Sequence, residues 1–88
     1  STVFETLISP PSTGIVAVPR SVMNFRLRPS VRSARIGQIP WGAQTELLGR
    51  TVQGGQSFWF LVRYNGQVGW IFAPFVGVRG NVGAVPVY

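Results

Sequence analysis

Between residues 15 and 78 the chain never runs more than nine residues, 56–64, without a glycine, a proline or an asparagine. Helices in globular proteins average about 11–12 residues and strands about 5–6, so this punctuation admits strands and leaves helices little room. The segments between breaks are short and β-type, at residues 15–18, 22–27, 36–39, 45–52, 58–64 and 68–71. No apolar stripe of helical period and useful length crosses them. A small all-β barrel or sandwich is the architecture this pattern predicts.

Each break carries its own expectation. Pro19 separates the first two segments, which read as an opening strand pair or one bent strand. Arg28-Pro29-Ser30 begins a polar loop, and Pro40-Trp41-Gly42 ends the third segment. Gly49 suggests a bulge in the fourth, and Gln53-Gly54-Gly55-Gln56 a turn after it. Asn65-Gly66 is the strongest local signal, because that pair takes the positive φ angles of a tight hairpin. Ahead of this region, residues 8–14 hold two prolines and a glycine and read as a linker. Beyond residue 80, Asn81-Val82-Gly83-Ala84-Val85-Pro86-Val87-Tyr88 is apolar and extended, as if leading to another repeat or pairing with an edge strand. The expected organisation is a flanking linker over 1–14, one domain over 15–80 and an extended flank over 81–88.

Composition removes whole classes of chemistry. The chain has no His, Cys, Asp or Lys, and its side-chain carboxylates are Glu5 and Glu46. General acid–base catalysis needs a group titrating near the working pH, and a hydroxyl nucleophile needs a base beside it. Ser9, Ser30, Ser57 and Thr45 have none, since arginine stays protonated at ordinary pH. The chain is therefore not expected to be an enzyme, to use a cofactor or to hold zinc or calcium. An apolar fraction of 45%, with 12% aromatic residues, suffices for one compact core without disulfides. The longest apolar run, residues 58–62, is far shorter than the ~20 residues of a membrane-spanning helix. The first residues carry neither an initiating Met nor a basic targeting region, so the chain reads as a piece of a longer protein.

An ordered set of short motifs runs through the β-type region: Asn24-Phe25-Arg26, Pro29-Ser30, Ile36-Gly37 through Pro40-Trp41-Gly42, Trp59-Phe60-Leu61-Val62-Arg63-Tyr64, Asn65-Gly66 and Gly69-Trp70-Ile71. In order and spacing this set resembles the bacterial SH3 (SH3b) domain family, over roughly residues 15 to 78. The resemblance implies an SH3-like antiparallel barrel of five to six short strands, partly open, with one tight turn near Ala73-Pro74. Two departures stand out. Leu27-Arg28-Pro29 replaces the family's usual Ser-Gly-Pro, and Trp41 stands where the family tends to have a polar residue.

The same resemblance implies a ligand groove. Trp59 matches the family's groove tryptophan, and Phe72 and Phe75 fall where eukaryotic relatives use Pro and Tyr to receive a polyproline peptide. The predicted site is Trp59, Phe72 and Phe75, with Trp41 and Arg28 at its margin. The alternative is that these rings and Trp70 fill the barrel or cover its rim. Trp41, at a turn, either offers its indole face to a sugar, a proline or a protein surface, or packs onto the N-terminal segment.

All eight cations are arginines, and Arg20, Arg26, Arg28, Arg32 and Arg35 lie within sixteen residues in a chain of net charge +6. Such a cluster suits anionic polymers or acidic peptides, or is solvated loop charge; Arg26 matches a framework position and is expected to be structural. Glu46 is expected in an ion pair. Three functions follow. The leading one, implied by resemblance, is a non-catalytic targeting module of an extracellular or cell-envelope protein that recognises cell-wall polymer or peptide. The second is a structural module docking neighbouring domains. The weakest is nucleic-acid binding, which would show strong salt dependence.

Overall fold

Asn65 and Gly66 take φ angles of 51° and 77°, the left-handed pair required by a two-residue turn between right-twisted strands. They join β5 (Gln56–Tyr64) to β6 (Gln67–Phe72), in unbroken register from Tyr64 opposite Gln67 to Trp59 opposite Phe72. In the computed structural model, which describes residues 13–88, this hairpin is the centre of a seven-stranded antiparallel sheet. The other strands are β1 (Val16–Pro19), β2 (Met23–Arg26), β3 (Arg35–Ile39), β4 (Thr45–Gln53) and β7 (Val76–Arg79). The order across the sheet is β3-β2-β6-β5-β4-β1-β7, and the sheet curls into a partly open barrel. Residues 1–12 of the predicted linker over 1–14 lie outside the described residues.

Two expectations change. Among the described residues there are seven strands, not five or six, because residues 76–79 form a full strand paired with β1 from Val16 opposite Arg79 to Pro19 opposite Val76. The first two segments are neither a pair nor one bent strand. β1 lies between β4 and β7, whereas β2 lies between β3 and β6. The chain changes sides after Pro19, and the Arg20 amide, freed from any strand partner, donates to the Phe75 carbonyl at 2.8 Å. That bond ties the crossing to the short 3-10 turn at Ala73–Phe75, which has Pro74 inside its first turn and lies where a tight turn is expected.

Alternation builds the interior. Ala17 of β1, Met23 and Phe25 of β2, Ile39 of β3, Leu47 of β4, Phe60 and Val62 of β5 and Ile71 of β6 meet in one core. Each large side chain fully buried there contributes roughly 1.5–3 kcal/mol. Thr45 is buried too, and its hydroxyl donates to the Ala17 carbonyl at 2.8 Å, so its polar atom is satisfied. β4 breaks alternation: Leu47 and Leu48 are consecutive and both buried, and the register against β5 shifts between Leu47 and Gly49. This is the expected bulge. Gly69 has a different duty. A Cβ there would lie 2.8 Å from both the Arg26 carbonyl oxygen and the Phe25 ring, so only glycine lets β2 cross β6 this closely.

The flank over 81–88 folds back on the barrel. Asn81 accepts the Gly83 amide at 3.0 Å to start a second 3-10 turn, Val82–Ala84, which delivers Val85 into the core at 3% exposure. Arg50 donates to the Pro86 carbonyl at 2.9 Å and accepts the Tyr88 amide at 2.8 Å, a parallel bridge along the part of β4 beyond the reach of β1. Gly49, Leu61 and Trp70 are cross-strand neighbours on the outer face of β4, β5 and β6. The Tyr88 ring lies over Gly49 and meets Trp70 edge-to-face at 6.0 Å.

Candidate functional site: an aromatic groove

Cross-strand register brings the predicted rings together. Trp59 and Phe72 are direct partners on β5 and β6, with ring centroids 5.3 Å apart and planes at 68°. The turn at Ala73–Phe75 then swings Phe75 to within 6.0 Å of Phe72, at 43°. Phe58 braces Phe72 from the other side, edge-to-face at 5.4 Å. Offset and edge-to-face pairs of this kind contribute about 0.5–1.5 kcal/mol each beyond their burial, so the rings are held in place before anything binds.

The three rings share one groove of about 280 Å³, completed by Ser21, Val22, Met23 and Asn24 of the β1–β2 connection and β2, and by Arg26 and Val31. Their exposures differ, and this decides their roles. Trp59 is 4% exposed and forms the floor, Phe72 is half-buried, and Phe75 is 55% exposed and forms a wall. Trp59 is fixed further by its amide, which donates to the Thr51 hydroxyl at 3.0 Å. The choice between groove and core therefore resolves ring by ring: Trp59, outside the core cluster that holds Phe60 and Val62, is buried beneath the groove, and Phe72 and Phe75 carry its exposed aromatic surface.

The sequence model of the bacterial SH3 domain matches residues 21–77. The chain belongs to the bacterial SH3 domain family. Membership implies a binding module, and proteins with such domains are commonly found in the cell envelope or outside the cell. No individually curated protein matches this chain. Among the described residues of this bacterial SH3 domain, no helix is long and apolar enough to cross a membrane.

Arg26 serves two purposes in the domain. Its guanidinium donates to the Ser33 carbonyl at 2.9 Å, bracing the loop after β2, and it also lines the groove. Further bonds shape that loop: the Leu27 amide to the Ala34 carbonyl at 3.0 Å, and the Arg28 amide to the Ser33 hydroxyl at 2.9 Å. The loop turns Val31 toward the groove and leaves Arg28 exposed, outside the residues that line it. Trp41 is separate as well. It is 75% exposed and lines a different depression, with Val18, Pro19, Arg20, Gly77, Val78 and Arg79. Trp70 lies on the outer face against Tyr88. Glu46 pairs with Arg63 across β4 and β5, both side chains about a quarter exposed.

Sequence reasoning missed Ser21, Val22, Met23, Asn24 and Val31 as groove residues. Met23 alone carried a signal, an apolar side chain at a strand start, and that signal is the same as for any core residue. Ser21 and Val22 enter the site from the β1–β2 connection, Asn24 from β2 and Val31 from the loop after β2, placements that local pattern does not reveal.

Proposed function

We propose that this bacterial SH3 domain is a non-catalytic targeting module of an extracellular or cell-envelope protein, and that its aromatic groove takes a cell-wall peptide or glycan–peptide strand. The supporting observation is the groove itself: two partly exposed phenylalanine rings held on a buried tryptophan floor, with Arg26 at one side. The rings give shape and apolar contact. Arg26 and the arginines of the neighbouring loop give attraction to carboxylates, with little to oppose them, because Glu46 is already engaged by Arg63.

The test is calorimetric titration with soluble muropeptides released from purified bacterial walls, at low and high salt, comparing the parent domain with Phe75→Ala. Phe75 is more than half exposed, so the variant should keep its melting temperature while binding weakens about tenfold. Binding that ignores Phe75 and disappears in high salt would reduce the interaction to arginine charge and end the groove proposal.

A second reading, docking of a neighbouring domain, is favoured by Val22 and Val31, which line the same groove at 59% and 69% exposure. It predicts that a neighbouring domain joined to this one protects Phe75 from solvent without any added wall fragment.

A further inference from the structure

The depression beneath Trp41 shares no lining residue with the aromatic groove. β1 and β7 form its base. Ala17 and Pro19 point into the barrel, so Val16 and Val18 point outward, and Val18 stands opposite Gly77. The missing side chain at Gly77 leaves a hollow there. The Arg20 guanidinium leans across it, with Nε 3.2 Å from where a Cβ of residue 77 would be. Arg79 stands at the other end, opposite Val16. Trp41 completes the rim from the turn after β3, held by the Gly42 amide, which donates to the Pro19 carbonyl at 2.9 Å.

Among the described residues, neither guanidinium makes a side-chain hydrogen bond and no carboxylate lines the hollow. Trp41 is 75% exposed, so its ring face is open to a ligand. The site thus offers a flat apolar ring, an aliphatic floor and two fork-shaped donors with charge to spare.

We propose that this second site binds one anionic sugar ring of a polysaccharide, with the indole of Trp41 stacked on the sugar's C–H face and Arg20 and Arg79 holding its anionic substituent. Size supports a single ring. The hollow is about 260 Å³, just under the ~300–1,000 Å³ of pockets that enclose drug-sized ligands. The chemistry of the substituent is that of a planar or tetrahedral oxyanion, which arginine receives with two parallel N–H bonds; a uronate carboxylate and a sugar phosphate both qualify. Single-stranded nucleic acid fits less well, because it needs several rings in series along its backbone and this site has one.

The experiment follows the Trp41 indole N–H by NMR, assigned by its loss in Trp41→Ala. The probes are tetragalacturonate, a mannose-6-phosphate-bearing oligosaccharide, uncharged maltotetraose and an oligothymidylate. One or both acidic sugars should shift the Trp41 signal, and which does so identifies the anion. Maltotetraose should not. By calorimetry, Trp41→Ala and the pair Arg20→Gln/Arg79→Gln should each weaken that binding at least about tenfold. Phe75→Ala should leave it unchanged, which separates this site from the groove whatever the groove binds. Because Trp41 is largely exposed, its variant is expected to melt with the parent, and this is checked directly. Silence of the Trp41 signal at millimolar acidic sugar overturns the proposal. So does oligothymidylate binding of equal strength, or sugar binding indifferent to Trp41.

Discussion

Replacing Gly49 with alanine should destabilise the domain only while Tyr88 is present. A Cβ at residue 49 would run into two atoms of the Tyr88 ring, with the Pro86 carbonyl oxygen next at 3.3 Å. The smallest accommodation is rotation of the ring off Trp70, which gives up an edge-to-face contact of about 0.5–1.5 kcal/mol. If the segment itself lifts, two backbone bonds to Arg50 weaken as well, at about 0.5–1.5 kcal/mol each. Against this, alanine reduces the freedom of the unfolded chain, a gain of about 0.4–1 kcal/mol. A net cost of about 1–2 kcal/mol is expected for Gly49→Ala in the parent. In Tyr88→Ala the obstruction is gone, so adding Gly49→Ala should be neutral or slightly stabilising. Urea unfolding of the four proteins, followed by tryptophan fluorescence, gives the coupling energy directly. Additive effects, with a coupling below about 0.3 kcal/mol, would mean that Tyr88 does not sit on Gly49 and that the C-terminal segment is not part of the folded unit.

Trp59→Ala should cost ~3–5 kcal/mol, the penalty for deleting a large buried aromatic, because its ring is the groove's floor and is 4% exposed; thermal or urea unfolding tests this, and a loss under 1 kcal/mol would place the ring on the surface. Gly66→Val should cost ~1 kcal/mol or more, since it forces a β-branched residue to a φ of 77°; an unchanged melting temperature would contradict the turn geometry.

The sequence was most readable where structure is local. Asn65-Gly66, the turn at Gly54-Gly55 and the bulge at Gly49 lie where residue chemistry placed them, because each depends on a few adjacent φ angles, and the tight turn at Ala73-Pro74 lies where the family resemblance put it. It was least readable where partners are distant. Nothing in residues 15–18 says that their neighbours are β4 and β7 and not the next segment, and nothing in residues 76–79 distinguishes a strand from a trailing apolar stretch. The site divides the same way. Trp59, Phe72 and Phe75 were legible together through the family resemblance, and the β5–β6 register and the turn at Ala73–Phe75 are what bring them together. Trp41 and Arg28 were placed beside them by proximity to loops in the sequence, whereas the barrel sets Trp41 over the β1–β7 pair and leaves Arg28 outside the lining. Ring exposure was not legible, because an aromatic at a strand centre looks the same whether it is floor or wall.

The pairing of β1 with β7 also has a kinetic consequence. During synthesis, β1 leaves the ribosome before either of its partners, and β7 is the last strand of the sheet to be made. Until then, its outer edge and the apolar side chains meant for the core have no lasting cover. Sheets dominated by such distant pairings fold in about milliseconds to seconds, where local helical folds take microseconds to milliseconds. The β5–β6 hairpin, closed by its own turn, can form within about 1–10 μs and is the natural scaffold on which the earlier strands wait. A chain stalled or cut before β7 would keep that hairpin, but it would expose an unpaired strand edge able to add to another copy.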